Sequence, residues 1–401
     1  LGNSRNSGRL DDVSLSEFGI GKTMGEDNKQ KMATISRWFR EDREALKVYN
    51  ARDAQLVKLL DRRFSLLNSN KRIAELCHVF PEDAKYPKRV VDAYSLKMCM
   101  AKKPRVALLD TSDIEYDIPE TDFGIAIIDP VPGLHERVVY ADFTSLYNRL
   151  IRAFNIGIET IDPNGQITTP SGLKFTNDRK SIVAEALEQL EVERNNARKL
   201  RNTFSRDTDN WRKYEAAQQA IKRMLLCFFG VMGNQHSRFY NLDVERSVTS
   251  TGGHIIKKVF ELAEQLGVQP IYGDTDSSFL RMDGFDFQAL LDKLNSMIRW
   301  YVVENFNADG SLLELKPEMF FDKFFMTDSA KRYYGHYVFR DDKWQSGYRV
   351  TGFEAKWNSL PTLFKWWQKL ILNTMLWTDP AQLREKIAFY TGWMKKNLYS
   401  G

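Results

Sequence analysis

Two aspartates stand one residue apart in the stretch YGDTDS, where Asp274 and Asp276 flank Thr275. Carboxylates this close repel each other, so keeping both charged costs free energy unless a cation offsets the repulsion. Apolar residues precede and follow the pair, which predicts a hairpin that projects both acids from its tip. Because Mg²⁺ prefers one or two carboxylates together with water and phosphate oxygens, the pair indicates a magnesium site. An ordinary hairpin turn, where Gly and Asp are also favoured, is an equally good interpretation of this stretch alone.

A third aspartate, Asp142, stands near the end of the apolar run RVVYADF, residues 137–143. We expect this run to form a strand, followed by a turn from Phe143 to Leu146 and a helix that begins near Tyr147. An acid at a strand end beside a helix start suits metal and phosphate, since the N–H groups of such turns bind anions. The alternative is that Asp142 caps the N-terminus of the helix.

Among the basic residues between these acids in the sequence, three are candidates for binding phosphate. Arg194 and Arg198 are four residues apart, so they share one face of a predicted helix. Lys222 lies on the next predicted helix, on the same face as Leu226 and Phe229. Arginine suits phosphate because its guanidinium presents a fork of donors, although a basic helix face is more often simply solvated. The order along the chain, an acid, two basic helices and an acid pair, favours a phosphate-binding site.

Several motifs in this order resemble those of family B DNA polymerases. DFTSLYNRLI resembles motif A, D-x-x-S-L-Y-P-S, and KRMLLCFFG resembles motif B, K-x-x-x-N-S-x-Y-G. YGDTDS matches motif C without a change. AKRYYG resembles the K-K-R-Y segment, GFEAKWNS the following G-x-E segment, and YNARD the third exonuclease motif, Y-x-x-x-D. The resemblance extends over roughly residues 9–398.

The resemblance implies a catalytic site for two-metal-ion phosphoryl transfer. Asp142 and Asp276 are expected to hold two Mg²⁺ ions, which Mn²⁺ could replace, with the backbone carbonyl of Phe143 assisting. Asp274 is expected to support them from close by. The implied reaction is template-dependent addition of dNTPs to a primer 3′-hydroxyl.

The resemblance also implies two groups of binding residues. Tyr147 is expected to stack under the nucleotide sugar and exclude a 2′-hydroxyl. The expected nucleotide-binding residues are Ser145, Leu146, Tyr147, Arg194, Arg198, Lys222 and Leu226. The expected primer-template contacts are Gly230, Thr275, Lys331, Arg332 and Tyr333. A processivity factor, or further parts of a polymerase, are the other partners we expect.

The sequence departs from the family pattern at several positions. Motif B has Leu226 where the family has an asparagine that contacts the triphosphate, which puts nucleotide affinity and fidelity in doubt. The other departures are Asn148 and Arg149 in motif A, Cys227 and Phe229 in motif B, and Trp357 and Asn358 in the G-x-E segment.

Tyr49 and Asp53 match the third exonuclease motif, as a remnant of an exonuclease domain. The first two exonuclease motifs do not precede them in these residues, and we interpret DIE at 113–115 as a coincidence. We therefore expect no proofreading from this sequence. The spacing from Asp142 to Lys222 leaves little room for the insertion of protein-primed members, which favours a nucleic-acid primer.

The expected fold is α/β (α+β) with a right-hand polymerase architecture, in which an antiparallel palm sheet carries the acids. The implied domains are an exonuclease remnant (1–75), palm (76–160), helical-hairpin fingers (161–240), palm again (241–358) and the start of a helical thumb (359–401). Local patterns predict a loop over 1–30, an irregular segment over 80–122, a small hairpin over 161–177, strands and turns over 312–355, and helices over 34–68, 179–202, 209–230, 245–266, 287–305 and 360–398.

The composition of the whole chain is compatible with this interpretation. Its 401 residues suggest two or three domains, and its formal charge of +5 permits an anionic partner without requiring one. Cys77, Cys99 and Cys227 are far apart and odd in number, which argues against a disulfide framework and fits a reducing compartment. No apolar run approaches the roughly 18 residues of a membrane span. The first residue is Leu1, so we interpret the sequence as a piece of a longer protein, located inside the cell with DNA, in the cytoplasm or nucleoid of a prokaryote or in a virus-infected host.

Two other functions fit parts of the sequence. One is a catalytically silent, polymerase-like DNA-binding or scaffold module, which the motif B departures favour and the retained acids oppose. The other is a reverse transcriptase or RNA polymerase. Tyr147 argues against an RNA polymerase, because enzymes that use ribonucleotides need space at that position, and the motif order fits family B better than either alternative.

Overall fold

A computed structural model describes residues 9–23, 28–101, 127–206, 208–284, 286–356 and 360–398. The helices are α1 (Leu10–Phe18), α2 (Asn28–Glu41), α3 (Arg43–Phe64), α4 (Leu66–Cys77), α5 (Pro87–Ala101), α6 (Leu146–Ala153), α7 (Ile182–Asn202), α8 (Asp209–Met232), α9 (Leu242–Gln265), α10 (Phe287–Phe306), α11 (Thr362–Trp377) and α12 (Pro380–Leu398). The strands are β1 (Ile127–Ile128), β2 (Gly133–Phe143), β3 (Ile167–Thr168), β4 (Lys174–Phe175), β5 (Gln269–Asp274), β6 (Ser277–Arg281), β7 (Leu315–Met326), β8 (Tyr333–Arg340) and β9 (Lys343–Thr351).

The chain divides into two compact units. The first contains residues 1–86 and 192–224, and the second contains residues 87–191 and 225–401. The long helices α7 and α8 each cross from one unit to the other along the chain. Within the first unit, the hairpin formed by these helices is held by Arg201, which donates to Glu215 at 2.8 Å, and by Phe204, which stacks on Tyr214 with ring centroids 5.8 Å apart.

The first unit corrects two expectations. The single helix expected over 34–68 is three helices, because Asp42 caps α3 by accepting from the Ala45 N–H, and because Ser65 has a left-handed φ of 50° that ends it. The loop expected over 1–30 contains α1, which ends at Gly19 with a φ of 66°. Glycine is the usual residue at this position, since it adopts a positive φ without steric cost.

The segment expected to be irregular, 80–122, contains a 15-residue helix, α5. Pro87 is the first residue of that helix, where its missing N–H has no intrahelical partner to lose. The prolines at 104 and 119 lie outside the described residues.

The second unit is built on an antiparallel sheet of seven strands in the order β1-β5-β6-β2-β7-β8-β9. The antiparallel sheet and the surrounding helices confirm the α/β (α+β) fold class. Strand β2 lies between β6 and β7, so it is a central strand, and it begins four residues earlier than predicted. Helix α9 packs on β5 and β6, and α10 packs on β7.

Aromatic residues fill the core of this sheet. The ring centroid of Phe279, on β6, lies 5.4 Å from that of Phe324 and 5.1 Å from that of Tyr333. The Phe279 ring also stacks on Tyr140, with the two centroids 4.6 Å apart. Burying side chains of this size contributes strongly to folding, about 1.5–3 kcal/mol for each phenylalanine. The sheet is therefore a rigid base for the residues at its strand ends.

Apart from the tail, the remaining predicted elements differ only at their ends. The small hairpin over 161–177 is β3 paired with β4, and the tail is two helices rather than one. Asp379 separates them by accepting from the Ala381 N–H at 2.8 Å. Among the described residues, no helix has both the length and the apolar character required to cross a membrane.

Candidate active site

The sheet brings Asp142 and the acid pair together. Asp142 of β2 is paired in register with Ser277 of β6, the residue that follows Asp276. The Phe143 N–H donates to the Asp276 carbonyl at 3.0 Å. The predicted convergence of acids from two distant segments is therefore present in the second unit.

A tight turn fixes Asp274 and Asp276. The Asp276 N–H donates to the Asp274 carbonyl at 2.7 Å, and the Ser277 hydroxyl donates to the same carbonyl at 3.1 Å. Thr275 has a φ of 61°, a left-handed conformation that is costly for a β-branched residue. Its hydroxyl donates to Asp274 Oδ1 at 3.1 Å. The turn thus has a strained backbone at Thr275, and hydrogen bonds to Asp274 stabilise it.

The carboxylates are in an environment that opposes their negative charge. Burial, then the charges of Asp276 and Glu318, raise the pKa of Asp142 to about 8. Burial also raises the pKa of Asp276, with Asp274 and Glu318 adding to it. Asp142 Oδ1 is buried and has no hydrogen-bond partner among the described residues. A divalent cation would satisfy this oxygen and offset the repulsion, so the residues present fit Mg²⁺.

A complete metal cage is absent from the described part of the chain, where no group of three or more His, Cys, Asp or Glu residues could by itself hold an ion. Mg²⁺ does not require such a group, because it usually takes one or two protein carboxylates and completes its coordination shell with water and substrate phosphates.

Sequence reasoning missed Glu318, a further acid near this site. It lies on β7, where Tyr140 pairs with Met319 and Ala141 with Pro317, so Glu318 is the extra residue of a β-bulge. Its charge raises the pKa of both Asp142 and Asp276. No motif marks it, because the bulge that places it depends on strand register.

Helix α6 begins beside Asp142 but is not capped by it. Ser145 occupies the N-cap position with a left-handed φ of 52°, and α6 starts at Leu146. The alternative role for Asp142 as a helix cap is therefore wrong. Leu146 is only 2% exposed, so its side chain is packed in the core and is closed to a ligand.

Tyr147 stacks on a residue from motif B. Its ring centroid lies 4.4 Å from that of Phe229, with 29° between the planes. The neighbouring Asn148, a departure from the family pattern, donates to the Leu225 carbonyl at 2.9 Å and so joins α6 to α8. Burial, then the charge of Asp276, raises the pKa of Tyr147 and keeps its phenol protonated.

The predicted primer-template residues have intramolecular contacts in the second unit. Lys331 Nζ lies 3.2 Å from Asp274 Oδ2, and the Lys331 N–H donates to the Tyr272 hydroxyl at 3.1 Å. Arg332 donates to both carboxylate oxygens of Glu354, at 2.9 and 3.1 Å. Tyr333 is 6% exposed, in the aromatic core. Trp357 and Asn358 lie outside the described residues.

The predicted nucleotide-binding cations belong to the first unit. Arg194 and Arg198 lie on α7, and Lys222 is exposed on α8. Leu226 and Gly230, which follow on α8, belong to the second unit. Leu226 is 68% exposed, and a Cβ atom on Gly230 would meet no atom of the described residues within 4 Å. Assembly of the cations with the acids in one site stays a prediction.

Comparisons with known proteins bear on the same region. The model of DNA polymerase family B matches residues 98–389, most of the chain. The chain belongs to DNA polymerase family B. DNA polymerase 2 of Aeropyrum pernix is 30% identical over 240 residues, 58% of this chain and 28% of its own length. DNA polymerase II of Escherichia coli is 27% identical over 358 residues, 81% of this chain and 42% of its own length.

A solved structure shows the same fold. The family B DNA polymerase from the archaeon Pyrobaculum calidifontis aligns with 98% of this chain and 49% of its own, with a TM-score of 0.61 and 23% identity. The present chain thus spans less than half the length of these family B relatives.

This family B chain has a second acid that sequence reasoning missed. Glu245, in the first turn of α9, is 6% exposed, and its Oε2 atom has no hydrogen-bond partner in the segments that the structure describes. Burial raises the pKa of Glu245, and its charge contributes to the raised pKa of Tyr147. No sequence motif marks it, because a charged residue in a first helical turn is normally exposed.

The exonuclease-like residues of this family B chain form a separate cluster in the first unit. Asp53 pairs with Lys22 at 2.6 Å, and Tyr49 is buried beneath that lysine, whose Nζ lies 5.8 Å from the ring centroid. Burial lowers the pKa of Lys22, but its hydrogen bond to Asp53 and the charge there outweigh burial and raise it. The DIE stretch lies outside the described residues.

Proposed function

We propose that this chain is the polymerising part of a DNA-directed DNA polymerase, which adds dNTPs to a primer 3′-hydroxyl under the direction of a template. The observation that carries the proposal is the meeting of Asp142 and Asp276, with a buried carboxylate oxygen that no group in the described part of the chain satisfies. Membership of family B supports it.

In this proposal, Asp142 and Asp276 hold the divalent cations, with the Phe143 carbonyl assisting. When bound, two Mg²⁺ ions, or Mn²⁺ in their place, supply activation of the 3′-hydroxyl and stabilisation of the leaving pyrophosphate. Asp274 supports Asp276 through the turn, since its carbonyl accepts from the Asp276 N–H. The remaining work of such a site is positioning and charge stabilisation.

The nucleotide and the DNA would contact separate groups of residues. Tyr147 would lie under the deoxyribose, and the backbone at Ser145 and Leu146 would face the triphosphate. Cations on α7 and α8 would neutralise the phosphates, so closure of these helices on a nucleotide could complete the site. The proposed cations and α8 contacts are Arg194, Arg198, Lys222 and Leu226; the proposed primer-template contacts are Gly230, Thr275, Lys331, Arg332 and Tyr333.

The proposed domains follow from this assignment. The sheet of the second unit would be the palm, the hairpin of α7 and α8 the fingers, and α11 with α12 the start of the thumb. The residues up to 75 would belong to an exonuclease domain. Primer-template DNA and dNTPs would be the partners, together with a processivity factor or further polymerase domains, at a DNA-associated location inside the cell.

A catalytically silent DNA-binding module is the competing proposal. It is supported by Leu226, which stands where a polar contact to the triphosphate is expected. It is opposed by the raised pKa values of Asp142 and Asp276, because a silent site gains nothing from retaining acids that repel each other.

Primer extension decides between the two proposals. We expect the chain, or the longer protein that contains it, to extend a primer with Mg²⁺ and dNTPs, and to stop when EDTA is added. Asp276→Asn should lower the rate by at least about 100-fold, as expected when a metal ligand is lost. Asp283→Asn is the matched control, because Asp283 is 93% exposed and away from the turn. Full activity of Asp276→Asn would show that Asp276 is not a ligand of a catalytic metal ion.

A further inference from the structure

Gly252 lies in the middle of α9, where the backbone does not require glycine. Its conformation is helical, without the positive φ that would favour glycine. Glycine in a helix interior is less favourable than alanine, since it loses more conformational freedom on folding. The absence of a side chain at this buried position therefore needs another cause.

The cause is the ring of Tyr147. A Cβ atom on Gly252 would lie 3.1 Å from Tyr147 Cε1, closer than the 3.5–4.0 Å at which carbon atoms pack best. The next nearest atoms, on Leu150 and Leu146, would be at an ordinary 3.5 and 3.6 Å. Only the tyrosine ring would have to move.

Tyr147 has little freedom to move elsewhere. Its ring stacks on Phe229 with a centroid separation of 4.4 Å, while Leu150 is 0% and Leu146 is 2% exposed and fix α6 in the core. All these residues belong to the second unit. The ring thus packs on Phe229 of α8 and lies close to Gly252 of α9.

We propose that Gly252 is a specificity-positioning residue, which sets the position of the Tyr147 ring and through it the choice between dNTPs and rNTPs. The inference rests on the proposed function, in which Tyr147 lies under the sugar. A methyl group at position 252 pushes the ring edge away from α9. The displaced ring then fits a deoxyribose less well and blocks a 2′-hydroxyl less completely.

A double-mutant cycle in primer extension tests this proposal. Gly252→Ala should lower the ratio of kcat/KM for dNTP over rNTP by about fivefold or more, chiefly by raising KM for the dNTP. In a Tyr147→Ala background the same substitution should leave the ratio unchanged, because the ring through which it acts is gone. Gly392→Ala in α12, where a Cβ would meet no atom of the described residues within 4 Å, is the matched control. No change in the ratio, or the same change in both backgrounds, would overturn the proposal.

Thermal unfolding gives a second cycle that needs no catalysis. Gly252→Ala should lower Tm when Tyr147 is present and raise it when Tyr147 is alanine, because the clash is relieved and alanine favours the helix. An equal change of Tm in both backgrounds would overturn the contact. Absence of primer extension from the unsubstituted protein would instead overturn the proposed function, so the two failures can be told apart.

Discussion

At the scale of residues, the site depends on a few carboxylates whose charges are poorly compensated by protein groups. The positions of Asp142, Asp274 and Asp276 could be predicted, because their motifs specify residue types at short spacings. Glu318 and Glu245 could not, since one is placed by a β-bulge and the other by burial at a helix start. Neither feature leaves a pattern in the local sequence.

The pKa of Asp142 leads to a prediction for stability. The carboxyl holds its proton up to about pH 8 in the folded chain but only to about 3.8 when unfolded. The folded state therefore binds more protons between these values, and the contribution of Asp142 to stability falls as pH rises through that window. In EDTA, Asp142→Asn should raise Tm relative to the unsubstituted chain by an amount that grows from pH 5 to pH 8 and then levels off. A difference in Tm that does not change with pH would contradict the assignment.

At the scale of elements, the strands and long helices could be predicted from periodicity, but their interruptions could not. The helix expected over 34–68 continues its apolar pattern through Asp42 and Ser65, where the backbone breaks. Likewise, no local pattern places the segment between β7 and β8 beside the β5–β6 turn. Lys331 makes that contact through its ion pair with Asp274. The backbone of Lys331 is itself left-handed, with a φ of 60°.

The Lys331–Asp274 pair predicts that removing the Lys331 side chain affects DNA binding much more than stability. Lys331 is 63% exposed, and pairs this exposed contribute little to stability. Lys331→Ala should therefore change Tm by no more than 1–2 °C, yet weaken primer-template binding by about 10-fold through loss of a phosphate contact. Fluorescence anisotropy at two salt concentrations would measure this, with the exposed Lys343→Ala as the control. Equal affinities for Lys331→Ala and the control would remove Lys331 from the DNA interface.

At the scale of the whole molecule, the acids and the cations proposed to bind the nucleotide belong to different units. The antiparallel sheet could be expected from the family resemblance, but the strand order β1-β5-β6-β2-β7-β8-β9 could not be derived from local patterns, since pairing joins segments that are distant in sequence. The proposed reaction requires both units to act on one nucleotide.

Substitution of Lys222, in the first unit, tests whether that unit contributes to nucleotide binding. Lys222→Ala should raise KM for dNTP by about 10-fold or more, because a charge-assisted hydrogen bond to a phosphate contributes about 1.5–3 kcal/mol. Its effect on primer-template affinity should be small. Lys213→Ala, another exposed lysine of α8, is the control. Steady-state kinetics in which only DNA affinity changes would reassign Lys222 to the DNA interface.

If Asp142 and Asp276 converge in order to hold divalent cations, both carboxylates are required for Mn²⁺ binding. Electron paramagnetic resonance would count the bound Mn²⁺ at a fixed dNTP concentration for the unsubstituted protein and for three variants. We predict that Asp142→Asn and Asp276→Asn each weaken Mn²⁺ binding by about 10-fold or more, whereas Asp283→Asn binds normally. Unchanged Mn²⁺ binding by Asp142→Asn and Asp276→Asn would contradict the account.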